Sequence, residues 1–290
     1  ISAGRGENRE DTMAYKTILA HWADDTAPER NFGVAARLAE ASNGHLAGLV
    51  FGIEPNIAAY SYGAPGAAVI TAQSEAAREQ AAGLRRAAEA HLSREAISWE
   101  VRSVVTSIDA LSHVMSGHAR LCDLVVMELP YQSERDEVSV RALEGALFEG
   151  SAPVLACPEG AGGVPGRTVM VAWDRSLEAL HAIRHAMPFL TAAEKVELTM
   201  IDPEPSESGR DDPGADMATM LSRHGVPVEL AQVPSAGRST SEALRKRVTD
   251  IGADLVVMGA YGHSRLREAL IGGATRDMLE GAPVPVLMAH

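Results

Sequence analysis

Apolar runs alternate with amphipathic patterns along the whole chain. In the second half, five segments with nearly uninterrupted apolar character are predicted strands: TVMVAW (168–173), VELTMI (196–201), VPVELAQV (226–233), DLVVMG (254–259) and VPVLMA (284–289). Such strands are typical of parallel sheets that are buried on both faces. The segments between them carry helical patterns. The alternation predicts a doubly wound α/β fold, with helices on both faces of a five-stranded, mostly parallel sheet.

The first predicted helix of that half has a single apolar stripe. Its members recur with the helical period: Leu177, Leu180, Ile183, Met187 and Leu190. Ser176 stands directly before them, and its hydroxyl is expected to cap the helix.

The two halves of the chain repeat each other. CDLVVMELP at 122–130 matches ADLVVMGAY at 253–261, and KTILAHW at 16–22 resembles RTVMVAW at 167–173. Two similar domains in tandem are the simplest interpretation. We therefore divide the chain as follows: a tail at 1–14 that is disordered or foreign to the native protein, a domain at 15–158, a Gly- and Pro-rich linker at 159–166 and a domain at 167–290.

The first domain is the longer of the two, and its extra residues are expected at 53–74. A surface insertion is the favoured interpretation, and a lid or partner loop is the alternative.

Proline marks the last strand of each half, at Pro153 in the first and at Pro283 and Pro285 in the second. Proline is confined to sheet edges or strand starts. An uncovered edge offers a pairing surface, so we expect the two last strands to lie near each other across the domain joint, as in an intramolecular pseudo-dimer.

Composition narrows the classes of function. The 290 residues carry a formal net charge of −13, and an acidic surface disfavours binding to nucleic acid. No apolar run approaches the roughly 20 residues that span a bilayer. Cys122 and Cys157 are too few for a disulfide framework and are expected as buried thiols of a cytoplasmic protein. The histidines are scattered, so no metal site is predicted.

A cluster of glycines follows the predicted strand that ends at Met258: Gly259, Gly262, Gly272 and Gly273. The loop leads into a helix that is expected to begin near Gly273. Ligands of open α/β sheets bind beyond the carboxyl ends of strands, and helix N-termini attract anions. The spacing fits neither GxGxxG nor GxxxxGK[ST]. From spacing alone, a ligand cradle and a tight turn before a helix both stay open.

With DLVVM before it and VPVLMA after it, the pattern Gly259-x2-Gly262-x9-Gly272 resembles the universal stress protein family. The resemblance covers both halves from about Tyr15, and it implies a tandem member built from two adenine-nucleotide-binding α/β domains. It further implies ATP or another adenine nucleotide as the ligand, with magnesium as a possible companion. The nucleotide site that it implies comprises Ala172, Asp174, Met200, Met258, Gly259, Gly262, His263, Ser264, Arg265, Gly272, Gly273 and Ala274.

Roles within that site also follow from the resemblance. Asp174 is implied to contact the adenine, with a backbone contact near Met200. The glycines are implied to contact the ribose and phosphates. His263, Ser264 and Arg265 are candidates for further phosphate contacts, with solvated loop residues as the alternative.

Two departures from the family pattern bear on function. Gly273 stands where the family has Ser or Thr, which removes a hydroxyl but leaves the backbone N–H. The first half lacks the loop: Glu128 and Tyr131 replace Gly259 and Gly262, and Arg141 and Ala142 replace the later glycines. A carboxylate repels phosphate, so the first half is interpreted as a degenerate domain that is structural or binds a protein partner.

Three functions are weighed. The leading one is a cytoplasmic stress-response regulator that binds an adenine nucleotide in its second domain and hydrolyses it slowly, if at all. The alternative is a scaffold that binds unknown protein partners and no nucleotide. An ATP-pyrophosphatase-type ligase is disfavoured, because WDRSLEA after the first strand of the second half lacks the glycine-rich SGGxDS-like loop. The sequence leaves further homodimerisation open.

Overall fold

The computed structural model describes residues 15–22, 28–54, 67–131, 137–203, 214–260 and 273–290, with only the backbone described at 28–31 and at Ala67. The first half contains these elements: β1 (Thr17–Trp22), α1 (Pro28–Ala41), β2 (His45–Glu54), α2 (Ala67–Leu92), β3 (Ser98–Ser107), α3 (Ile108–Ala119), β4 (Leu124–Glu128), α4 (Glu137–Glu144), a π-helical turn (Gly145–Glu149) and β5 (Val154–Cys157). The second half contains β6 (Thr168–Ala172), α5 (Leu177–His185), α6 (Met187–Ala192), β7 (Lys195–Ile201), α7 (Ala215–Arg223), β8 (Val228–Val233), α8 (Thr240–Ile251), β9 (Leu255–Gly259), α9 (Ala274–Gly281) and β10 (Val286–Ala289).

The strands form one ten-stranded sheet in the order β3-β2-β1-β4-β5-β10-β9-β6-β7-β8. Within each half, all neighbouring strands are parallel. The halves meet at β5 and β10, which pair antiparallel with Leu155 opposite Leu287. The α/β fold predicted from the alternating pattern is confirmed, and so is the expected proximity of the two last strands.

Prolines lie immediately before β5 and β10 rather than inside them, at Pro153 and Pro285. They therefore begin strands that lie in the middle of the sheet, and each strand keeps its own amide hydrogens for pairing. Residues 158–167, where the linker is expected, form neither helix nor strand.

Helices cover both faces of the sheet and create two apolar layers. One layer contains Phe32, Leu38 and Leu92 from the first half together with Ile183 and Phe189 from the second. The opposite layer likewise draws on both halves, through α3, α4, α8 and α9. The joint between the halves is thus part of a continuous core.

The first helix of the second half differs from its predicted form. Ser176 caps it as expected, accepting a hydrogen bond from the amide of Ala179 at 3.1 Å. Leu177, however, is 67% exposed although it belongs to the apolar stripe. The buried residues of α5 are Ala179, Ala182 and Ile183, because small side chains let the helix lie close to the sheet.

The extra length of the first half also differs from the predicted insertion at 53–74. The strand β2 continues to Glu54, and α2 already begins at Ala67. With 26 residues, α2 is far longer than α7, its 9-residue counterpart. Gly52 lets α2 approach the sheet, since a Cβ there would clash with the carbonyl oxygen of Ala77. Much of the additional chain is therefore a helix packed on β2. Residues 55–66 lie outside the described part of the chain.

Candidate functional site

A cavity of about 450 Å³ lies at the carboxyl ends of the second-half strands. It opens where β6 stands between β9 on one side and β7 on the other, which is the point where the strand order reverses. Open α/β sheets bind ligands at this point, and the volume lies in the range of small-molecule sites.

The cavity brings together six of the predicted site residues: Ala172, Asp174, Met200, Met258, Gly259 and Ala274. The other lining residues were not predicted: Trp173, Arg175, Thr199, Ile201, Asp202, Pro203, Thr240 and Leu244. Most of them are chain neighbours of predicted positions, but Thr240 and Leu244 come from α8. Nothing in the glycine pattern points to that helix.

Five predicted residues lie outside the described part of the chain: Gly262, His263, Ser264, Arg265 and Gly272. Their roles stay predictions.

The turn after β6 fixes the position of Asp174 at the mouth of the cavity. Its Oδ1 accepts a hydrogen bond from the amide of Ser176 at 2.9 Å. Arg175, between them, has a left-handed φ of 68°. Asp174 itself is exposed, so a carboxylate oxygen can face a ligand while the turn holds the side chain.

Gly259 ends β9 directly beneath the N-terminus of α5. A Cβ at this position would stand 2.5 Å from the amide nitrogen of Ala179 and 2.9 Å from the Cβ of Glu178. Glycine is therefore required here by the close approach of a helix, whether or not a ligand is bound.

Gly273 is glycine for a different reason. Its φ of 116° lies in the region that L side chains rarely adopt, whereas a Cβ would meet nothing within 4 Å. It occupies the N-cap position of α9, where it provides no side-chain hydrogen bond to the helix. Serine or threonine, the residues of the family pattern, would be strained in this conformation.

Two helix N-termini face the cavity, at Thr240 of α8 and Ala274 of α9. The preceding Ser239 and Glu242 form a capping box that fixes the start of α8. The α9 helix is attached to it through Asp277, whose side chain accepts a hydrogen bond from the Ser241 hydroxyl at 2.7 Å. Helix N-termini carry partial positive charge, so this side of the cavity suits an anion.

A buried ion pair supports the strand that forms the cavity floor. Arg247 of α8 donates two hydrogen bonds of 2.7 Å to the Glu197 carboxylate, and the Thr199 hydroxyl donates a third at 2.9 Å. Burial opposes ionisation of Glu197, but the hydrogen bonds from Arg247 and Thr199 outweigh it and hold its pKa below the ordinary value. The network fixes Thr199, one of the lining residues.

Asp202 provides a second carboxylate at the mouth. Its backbone is left-handed, with a φ of 42°. Hydrogen bonds from Ser235 lower the pKa of its carboxyl, and one of them, from the Ser235 amide, measures 3.1 Å. Asp202 is therefore ionised at neutral pH, and the mouth of the cavity is acidic while the helix N-termini are electropositive.

The first half fills the equivalent place with a side chain. The pairing of β1 with β4 and of β6 with β9 aligns His21 with Ala172. The His21 ring is 2% exposed and lies 5.2 Å from the ring of Phe51, centre to centre. The same alignment places Glu128 at the position of Gly259. A buried imidazole thus stands at the position of the cavity-lining residue Ala172.

No helix among the described residues is long and apolar enough to cross a membrane. Within the same residues, no group of three or more His, Cys, Asp or Glu side chains is arranged to hold a metal ion. Cys157 is buried, and burial together with Glu128 raises the pKa of its thiol to about 12. Cys122 is only partly buried.

Comparisons with known proteins agree on one family. A model of the universal stress protein family matches residues 166–290. The curated Universal stress protein Slr1230 of Synechocystis is 44% identical over 46 residues, a match that spans 16% of this chain and 16% of that relative.

Two solved structures resemble the whole chain. A universal stress protein from Archaeoglobus fulgidus DSM 4304 has a TM-score of 0.65 at 17% identity, with 96% of this chain and 97% of the other covered. A structure assigned to the same family, from Pseudomonas aeruginosa UCBPP-PA14, has a TM-score of 0.57 at 17% identity, with 95% and 93% covered. At this identity the likeness shows a shared fold across both halves.

Proposed function

We propose that the cavity of the second half, the region that the universal stress protein family model matches, binds an adenine nucleotide. The observation that carries the proposal is that six residues implied by the family resemblance line this one cavity. ATP, ADP and AMP share the adenosine that this site would recognise. The protein would then act as a regulator in the cytoplasmic stress response.

The apolar floor suits the faces of an adenine ring. Ala172, Met200 and Met258 contribute small or flexible side chains there. Asp174 at the mouth supplies a hydrogen-bond acceptor for a polar edge of the ligand. This combination of apolar walls and a few fixed polar groups is typical of small-molecule sites.

The side formed by α8 and α9 suits the phosphates. Backbone amides at Gly273 and Ala274 would donate to phosphate oxygens, and the dipole of α9 would favour their negative charge. The family pattern assigns further contacts to Gly262 and Gly272. A magnesium ion bound with the nucleotide would offset the repulsion from Asp202.

We propose no more than slow hydrolysis. The two carboxylates of the described lining, Asp174 and Asp202, each accept a hydrogen bond from a backbone amide. One oxygen of each carboxylate is thus committed to its turn, and the described lining contains no His, Lys or Glu that could serve as a base. In the first half, His21 and Glu128 occupy the equivalent positions, so we assign that half a structural or partner-binding role.

A scaffold without nucleotide is the second candidate. It is favoured by one observation: Gly259 and Gly273 each have a structural reason to be glycine without any ligand.

The deciding experiment begins with the nucleotide content of freshly purified protein, measured by chromatography after denaturation. Calorimetric titration with ATP and magnesium follows. The variant Ala172→His copies the first half and is expected to abolish binding by filling the cavity. Asp174→Ala and Gly262→Val are expected to weaken it.

The matched control is His21→Ala, which changes the equivalent place in the first half and should leave ATP affinity unchanged. A wild-type protein that contains no nucleotide and fails to bind added ATP would contradict the proposal and favour the scaffold.

A further inference from the structure

The first half touches the helix that begins at the cavity of the second half. Tyr131 follows β4 of the first half, and the guanidinium carbon of Arg276 in α9 lies 5.1 Å from the centre of its ring. A second contact between the halves joins the ring of Phe148 in the π-helical turn to the ring of His290, with 4.9 Å between the ring centres and an edge-to-face arrangement. His290 in turn is 2.9 Å from the carbonyl oxygen of Ala260, just after β9.

The sheet explains the contact between Phe148 and His290. Because β5 runs antiparallel to β10, Val154 at the start of β5 pairs with Met288 near the end of β10. The π-helical turn before β5 is thereby carried to the end of the sheet at which the cavity opens. The parallel arrangement inside each half could not bring it there.

The α9 helix depends on such contacts. It has eight residues, too few for a stable helix on its own. Its known supports within the second half are the buried Met278 and Leu279 and the bonds from α8 to Asp277. Arg276 also donates to Glu280 at 2.7 Å, so its guanidinium is held along the helix and can receive the Tyr131 ring.

We propose that the first half positions α9 for ligand binding, with Tyr131 acting through Arg276 as the positioning residue. Tyr131 does not line the cavity. It restrains α9, whose N-terminus lines the cavity. Loss of the ring should therefore lower ligand affinity although no ligand contact is removed. The expected loss of ligand affinity rests on the proposed nucleotide site. The contact between Tyr131 and α9 does not depend on that proposal.

The test compares Tyr131→Ala with Tyr131→Phe in the full-length protein. Hydrogen exchange of the backbone amides of α9 reports the positioning directly, and calorimetry with ATP and magnesium reports its consequence. Tyr131→Ala is expected to accelerate exchange in α9 and to weaken ATP binding roughly two- to fivefold, the scale of one exposed cation–π contact. Tyr131→Phe keeps the ring and should behave as the wild type.

The control is Tyr15→Phe, which removes a 2.6 Å hydrogen bond between the halves, from the Tyr15 hydroxyl to the carbonyl oxygen of His185. It should lower the melting temperature and leave exchange in α9 unchanged. Unchanged exchange in α9 of Tyr131→Ala would overturn the proposal, as would equal acceleration in α5. A wild type that binds no ATP would refute the proposed function alone, because exchange in α9 would still decide the role of Tyr131.

Discussion

His21 is a polar side chain in an apolar layer. Its Nδ1 lies 3.2 Å from the carbonyl oxygen of Leu49 and therefore carries the hydrogen, while its Nε2 has no partner among the described residues. Burial lowers its pKa from 6.5 to about 4, partly offset by the Leu49 contact. The folded protein accommodates the neutral imidazole of His21 in this buried position, but burial disfavours its charged form.

The stability of the protein should consequently depend on pH through His21. Between pH 6.5 and 4 the unfolded chain binds a proton at this site that the folded chain refuses, so stability falls as the pH falls. The expected loss is about 3 kcal/mol by pH 4 and none above pH 7. Urea unfolding at several pH values measures this loss. It is the change with pH in the difference between the unfolding free energies of the wild type and His21→Leu.

The difference between the wild type and His21→Leu isolates His21, because every other titratable group is common to both proteins. A difference between wild type and His21→Leu that stays constant from pH 7 to 4.5 would show that His21 titrates normally in the folded protein.

Gly259 illustrates what a single sequence can and cannot reveal at the scale of one residue. The glycine cluster left a ligand cradle and a tight turn open, and the structure adds another reason for Gly259: the amide of Ala179 lies where a Cβ would need space. The neighbour could not be identified from the sequence, because it is set by the depth at which α5 packs. His21 was missed for the same reason, since its alignment with Ala172 emerges only from strand register.

At the scale of elements, the strands were the most predictable part. Continuous apolar runs such as DLVVMG are typical of inner strands, and β9 occupies Leu255–Gly259. The length of α2 was not predicted, because its many alanines blur the contrast between its two faces. Thr240 escaped prediction because α8 reaches the cavity through tertiary packing alone.

The attachment of α8 to β7 depends on an ion pair whose carboxylate is almost fully buried and whose guanidinium is partly exposed. The Glu197 side chain is 4% exposed and that of Arg247 is 29% exposed. Arg247→Met should cost about 3–5 kcal/mol of unfolding free energy, because the carboxylate stays buried without its partner. The double variant Glu197→Leu with Arg247→Met should recover most of that loss.

Chemical denaturation of the two variants measures this effect. The comparison pair is Arg85 and Glu89 of α2, whose side chains are exposed and whose bond measures 2.7 Å. Arg85→Met should cost about 0.5 kcal/mol or less, as is usual for an exposed pair on a helix. An equally small effect for Arg247→Met would mean that water reaches Glu197.

At the scale of the whole molecule, the repeated sequence produces a pseudo-twofold arrangement about the β5–β10 pair. The prolines predicted that the two last strands lie near each other. The structure gives the reason, because each of these strands would be a sheet edge if its half were alone. Antiparallel pairing removes both edges and turns the two proposed domains into one sheet. It also directs the carboxyl ends of the two sets of strands in opposite directions.

The halves should therefore unfold as a coupled unit, and the coupling is measurable at the centre of the joint. Leu155 and Leu287 are opposite each other in register, fully buried and in the same apolar layer. Each change to alanine should cost about 2–5 kcal/mol. Because the side chains share one site, the double variant should cost less than the sum of the single variants.

A second pair of leucines is the control for this comparison of single and double variants. Leu46 of β2 and Leu198 of β7 are equally buried but lie in different halves, separated by six strands of the sheet. Their changes to alanine should be additive within about 0.5 kcal/mol, as for distant sites. If Leu155 and Leu287 were also additive, and heating gave two separate transitions, the joint would be a contact between independent domains. A single transition with strong coupling would mean that the first half, although it lacks the glycine loop, is part of the folding unit that builds the site of the second.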